Sequence, residues 1–143
     1  MSQSTQQLGA DHVATVREFF RLLSMKDVTG WGELWHADAM IMVPYPSDGF
    51  ASVIRGKDDI ISGFHGLMGN FETFDAQITG IYPAVDSDAV CVEYHNVATL
   101  IGGTEYTNDN IAVFRFTDSL ISEYHDYFDP RRFQVVVDAL LKA

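Results

Sequence analysis

The chain is poor in the residues that several protein classes depend on. It has one cysteine, Cys91, so no internal disulfide can form, and it lacks any CxxC or Cys/His ligand spacing, which argues against a structural zinc site. Basic residues are few: nine Lys and Arg stand against twenty Asp and Glu, for a net charge of −11. Phosphate backbones are repelled by such a surface, so nucleic acid is not an expected partner, and phosphate-rich cofactors are disfavoured for the same reason. No apolar run approaches membrane-spanning length, and Met1 to Gln7 is polar with no basic stretch leading into an apolar one. The expectation is a soluble cytoplasmic protein with no membrane partner. A nucleophile elbow, a P-loop and a dinucleotide fingerprint are all missing, as are repeats and interdomain linkers. No cofactor and no metal is expected.

What the chain does have is apolar mass, at 47% of its 143 residues, enough for one core in one domain. The most informative stretch is Asn108–Phe116, then Thr117-Asp118-Ser119, then Leu120–Asp129. It reads as two strands joined by a tight turn, rich in β-branched and aromatic residues. Strand side chains alternate faces. Arg115 and Glu123 belong towards water, which turns Ala112, Phe114, Phe116, Tyr124 and Phe128 inward, and Asp126 with them. Asn108 and Asn110 share that inner face. A face mixing Asn, Tyr and Asp with Phe suits a pocket wall better than a pure core.

In chain order, residues 1–9 read as a flexible tail and 10–143 as a single domain. Asp11 caps a helix to about Met25; a short helix spans Trp31 to His36; a strand runs from Met40 to Tyr45. Val53-Ile-Arg-Gly leads into a third helix, about Lys57 to Gly69, with Asp58 and Asp59 at its positive end. From Phe71 the period becomes two. Ala89 to Ile101 is a long strand, Gly102-Gly103 a hairpin turn, and Arg131 to Leu141 a last helix. Helices segregated from a mostly antiparallel sheet mean α+β. With three helices on one side, a curved sheet can wrap them into a cone-shaped α+β barrel around a central pocket.

This arrangement resembles the nuclear transport factor two-like superfamily over about residues 11–134, most closely its SnoaL-like, ketosteroid-isomerase-like and PhzA/PhzB-like groups. The carriers are Trp35-His-Ala-Asp-Ala-Met, Ile54-Arg-Gly-Lys-Asp-Asp, Val92-Glu-Tyr, Ile111-Ala-Val-Phe-Arg-Phe and Glu123-Tyr-His-Asp-Tyr-Phe-Asp-Pro130. These mark fold more than reaction. Where ketosteroid isomerases carry a tyrosine donor, a general base and a protonated aspartic acid, this chain has Phe19, Val43 and Ala112. The resemblance therefore implies no steroid isomerase. It does align Asp126 with an acidic residue of the last strand in SnoaL-like and PhzA/PhzB-like proteins. The PhzA/PhzB group also uses a histidine of the third helix; His65 lies in that helix, but the best register puts Gly63 at the position.

Asp126 is the expected acid or base, its carboxyl raised above the ordinary value of about 3.9 by roughly one to two units through burial. A structural acid bonded to Asn110 or a tyrosine hydroxyl is the other reading. Tyr94, Asn96, Asn110, Tyr124 and Phe128 are the expected ligand-binding residues on the same wall, with His65, Trp35 and Phe19 reaching the pocket from the helical side. Glu93 and His95 alternate with Tyr94 and point outward; His12, His36 and His125 read as surface residues. The function these imply is acid–base isomerisation, cyclisation or dehydration of a small, mostly apolar carbonyl compound. The alternative is a binding protein with the same pocket and no turnover. Outward apolar residues Cys91, Val97, Ile101, Ile111 and Val113 imply a homodimer through the outer sheet face.

Overall fold

Two central strands set the architecture. In the computed structural model, which describes residues 5–142, β4 (Val90–Leu100) and β5 (Glu105–Thr117) bury every second side chain along their length. Around them lie β3 (Phe71–Pro83), β6 (Leu120–Phe128), β1 (Trp35–Met42) and β2 (Val53–Arg55), in the order β2-β1-β6-β5-β4-β3. Neighbours are antiparallel except β1 and β6, which are parallel. The sheet is curved but does not close into a barrel, with β2 and β3 as its edges. The β5–β6 turn has Asp118 and Ser119 at φ 53° and 66°, the two left-handed residues of a type I′ hairpin closed by the Thr117–Leu120 pair. The β4–β5 turn uses Gly102 and Gly103 at φ 104° and 97°, a conformation costly to other residues.

Helices α1 (Thr5–Ser24), α2 (Val28–Gly32) and α3 (Lys57–Met68) cover the inner face, and α4 (Pro130–Lys142) follows the last strand. Phe19 and Phe20 of α1 reach the sheet at Phe114 and Tyr94, with ring centroids 4.9 Å (Phe19–Phe114) and 4.5 Å (Phe20–Tyr94) apart. Trp31 stacks on Phe64 of α3 at 4.4 Å, and Trp35 sits 5.3 Å from Trp31. Burial of each such ring contributes about 1.5–3 kcal/mol. Asp27 caps α2, its Oδ1 accepting from Gly30 N at 3.0 Å. Ser24 Oγ accepts from Ala76 N at 2.9 Å, and Lys26 Nζ donates to Phe71 O, which fix the end of α1 to β3.

Several boundaries depart from the sequence reading. Helix α1 begins at Thr5, ahead of Asp11, so residues 5–9 are helical; residues 1–4 lie outside the described residues. The short helix ends at Gly32, and Trp35 opens β1, which stops at Met42. Its register against β6 shifts between Trp35 and Met40, and that irregularity breaks the alternation that would have marked a strand. Val53-Ile-Arg, which leads into the third helix, is also an edge strand paired to Met40–Met42. His12 is not at the surface: it is buried and stacks on Phe116 at 4.0 Å and 7°.

Candidate active site

The site grows out of strand register. Tyr94 on β4 faces Asn110 on β5, Asn110 faces Phe128 on β6, and Ala112 faces Asp126. Ala112 is small, so the Asp126 carboxyl has room to lean towards its larger neighbours. Tyr94 Oη donates to Asp126 Oδ1 at 2.8 Å, and Asn110 Nδ2 donates to the same oxygen at 3.3 Å and to Tyr94 Oη at 3.1 Å. Tyr124 Oη lies 3.0 Å from Tyr94 Oη. Since Tyr94 commits its proton to the carboxylate, Tyr124 is the donor of that pair, and the order is Tyr124 to Tyr94 to Asp126.

Burial among aromatic rings pushes the Asp126 carboxyl up to about 6, against the opposing pull of hydrogen bonds from Tyr94 and Asn110. Asp126 retains some exposure, but it lines a cavity whose walls are mostly rings, so its charge is poorly hydrated. Burial, with Asp126 beside them, raises Tyr94 and Tyr124 well above the usual phenol range. Both therefore stay protonated as donors.

The cavity has two lobes. The inner one, about 80 Å³, includes Tyr94, Asn96, Tyr106 and Asn110. The outer one, about 260 Å³, is lined by residues such as Val43, Pro46, Phe50 and Ile54. Phe64, Leu67, Tyr124, Asp126, Phe128 and Phe133 line both, so Asp126 sits at the junction. No Lys, Arg or His lines either lobe among the described residues. The outer lobe is bounded by the β1–β2 loop and the start of α4: Ser47 Oγ donates to Pro130 O at 3.2 Å, and Phe50 meets Phe133 at 5.5 Å.

Six expected site residues meet here: Asp126, Tyr94, Asn96, Asn110, Tyr124 and Phe128. Three do not. Phe19 and Trp35 are 0% exposed and pack behind Tyr124, at 5.2 and 6.0 Å, as core rather than wall. His65 is exposed on α3 and lines neither lobe; two residues earlier on the helix, Gly63 does, with open space where a side chain would project. Tyr106 and Phe133 are wall residues the sequence reading missed. Tyr106 was within reach, since the inner alternation of Asn108 and Asn110 extends back to it. Phe133 carries no such signal, because its role depends on where α4 docks.

On the outer face, Glu93 accepts from Tyr82 Oη at 2.8 Å and His95 Nδ1 lies 2.7 Å from Asp109 Oδ1, both within the sheet. No cluster of three or more metal-ligating side chains occurs among the described residues. Burial and nearby Glu93 raise the Cys91 thiol, which makes it a poor nucleophile. None of the helices among the described residues is long and apolar enough to cross a membrane.

An open, curved six-stranded sheet with four helices is the fold of nuclear transport factor two-like proteins. The profile of the SnoaL-like domain matches residues 16–124, and the chain belongs to that family. It is 31% identical over 114 residues to an uncharacterised PhzA/B-like protein of Pseudomonas aeruginosa, covering 78% of this chain and 79% of that one. A candidate isomerase from Bacillus subtilis superposes with a TM-score of 0.81 at 26% identity, over 91% of this chain and 94% of that one. A Mycobacterium tuberculosis epoxide hydrolase superposes with a TM-score of 0.70 at 22% identity, over 92% and 93%, a likeness of fold alone.

Proposed function

We propose that the chain is a cofactor-independent acid–base enzyme acting on a small, mostly apolar carbonyl compound. The observation that carries this reading is the Asp126 carboxyl, raised to about 6 at the junction of the two lobes. Such a group is largely ionised at neutral pH yet close enough to it to return a proton. Asp126 takes a proton from the carbon beside the carbonyl, and the electron pair moves onto the carbonyl oxygen. Tyr124, already a hydroxyl donor, turns to that oxygen. Where a carbon–carbon double bond adjoins the deprotonated carbon, the charge spreads along a dienolate, and Asp126 hands the proton back at its far carbon as the carbonyl re-forms, which moves the double bond and completes an isomerisation; ring closure and loss of water share the first step.

Deuterium exchange tests this without knowledge of the product. A panel of small cyclic ketones in D2O is expected to exchange protons beside the carbonyl faster with the protein than without it. A panel that binds without accelerated exchange would favour a pure binding protein.

The outer sheet face supports a homodimer: Val97 and Ile111 are exposed apolar residues on it, with Cys91 and Val113 half-buried beside them and Ile101 exposed in the β4–β5 turn. Light scattering is expected to give twice the 16.0 kDa chain mass, and a monomer mass at micromolar concentration would refute it.

A further inference from the structure

Two asparagines face each other across β4 and β5, Asn96 and Asn108, and they are used differently. Asn108 is saturated: its Nδ2 donates to Tyr106 Oη at 2.9 Å and Asp129 O at 3.0 Å, and its Oδ1 accepts from Asp109 N at 2.9 Å and Asp129 N at 3.3 Å. It ties β5 to the start of α4. Asn96 is 6% exposed, and its buried Oδ1 meets no donor among the described residues. Asn110 is also 6% exposed, and its Oδ1 is in the same condition. The orientation of Asn110 is fixed, because its Nδ2 must face Tyr94 Oη and Asp126 Oδ1. Both amides line the inner lobe.

An unmatched buried carbonyl is costly, and one retained beside a cavity is matched by what enters the cavity. The remaining polar groups of the inner lobe are mostly acceptors. Asp126 accepts, Tyr94 spends its proton on Asp126, and no cationic side chain is present to hold an anion; Tyr106 Oη, which accepts from Asn108 Nδ2, is the hydroxyl that keeps a proton to donate. We infer that the inner lobe receives a ligand head carrying hydrogen-bond donors, hydroxyl or amino groups, directed at Asn96 and Asn110, while the apolar body of the ligand fills the outer lobe. The volume fits: about 80 Å³ holds a few heavy atoms, and about 260 Å³ holds a ring. Anionic heads are disfavoured, since they would lie beside the Asp126 carboxylate with no cation to offset it. A polar head on an apolar body then orients the carbonyl compound against Asp126.

This inference rests on the acid–base reading of the pocket but is tested apart from it, with probes that need not react. Resorcinol, 1,3-diaminobenzene, 1,3-difluorobenzene and benzoate share one ring and differ in their heads. Ligand-observed NMR titration of the full chain at neutral pH is expected to show one of the two donor probes binding about tenfold or more tighter than the difluoro probe, and benzoate weakest. Tighter resorcinol identifies a hydroxyl head, and tighter diaminobenzene an amino head. Asn96→Leu is expected to reduce the donor preference several-fold, leaving the share carried by Asn110, while melting at the same or a higher temperature, because it removes an unmatched polar atom. Equal binding of donor and difluoro probes by the unaltered protein would overturn the inference. So would a preference left unchanged by Asn96→Leu. Either failure leaves proton transfer by Asp126 standing, and failure of the deuterium exchange leaves a measured donor preference standing.

Discussion

Phe19→Ala is expected to lower the free energy of unfolding by about 3–5 kcal/mol. Phe19 is fully buried at the point where α1, α2, β1, β5 and β6 converge. Its ring touches Trp31 at 5.4 Å, Phe114 at 4.9 Å and Tyr124 at 5.2 Å. Removing the ring loses its transfer free energy and leaves a hole between rigid neighbours that cannot all move in. A domain of this kind has roughly 5–15 kcal/mol in total, so the loss is a large share of it. Urea denaturation measures the effect, and Phe19→Leu, which keeps most of the volume, should cost far less. The result separates two roles for one residue. A ligand-contacting Phe19 would change affinity at little cost in stability, and a core Phe19 does the reverse. A loss below about 1 kcal/mol would place the centre of the core elsewhere.

Asp126→Asn has the largest expected effect on chemistry. An amide cannot exchange a proton near neutral pH, so exchange beside a carbonyl should fall by about 10²–10⁴-fold. Its effect on stability depends on pH. The folded carboxyl titrates near 6 and the unfolded one near 3.8. Below the lower value both states hold the proton, and the buried acid costs nothing in ionisation. Between the two, the unfolded state releases its proton and the folded state does not, so stability falls as pH rises, and it levels off above 6. The total loss is about 3 kcal/mol on this shift. Asp126→Asn should remove that slope, and at neutral pH should match or exceed the parent in stability. Denaturation curves at a series of pH values read both effects, since a variant with unchanged slope would mean that another group causes it.

The parts of the protein legible in the sequence are those governed by period two. The inner face of Ala112, Phe114 and Phe116 and the partners Tyr94 and Asn96 follow from alternation alone, because one wrong step would have buried Arg115 or Glu93. Asp126 came with them, since Tyr124, Asp126 and Phe128 alternate without interruption. What alternation cannot show is where it breaks. The shift within β1 adds three residues against β6 and the one between Arg115 and Phe116 skips a single residue of β6, and no composition marks them. Contacts between distant segments were also out of reach. His12 is buried because Phe116 lies against it, and Phe133 reaches the pocket because α4 folds back over it. Phe19 and Trp35 show a further limit: helical and corner aromatics line a pocket or fill the layer behind it according to packing alone.

The central claim is that Asp126 is a proton-transferring carboxyl, and its titration is the direct test. Selective carbon-13 labelling of aspartate, with Asp126→Asn used to assign the resonance, follows the carboxyl shift from pH 3 to pH 9, a span of roughly three units either side of the midpoint. The expected midpoint is about 6, with a single transition that the Tyr94 and Tyr124 hydroxyls do not share in this range. A midpoint at or below the ordinary value of 3.8 would contradict the account, because a carboxyl held ionised by its hydrogen bonds is a structural acceptor and not a base.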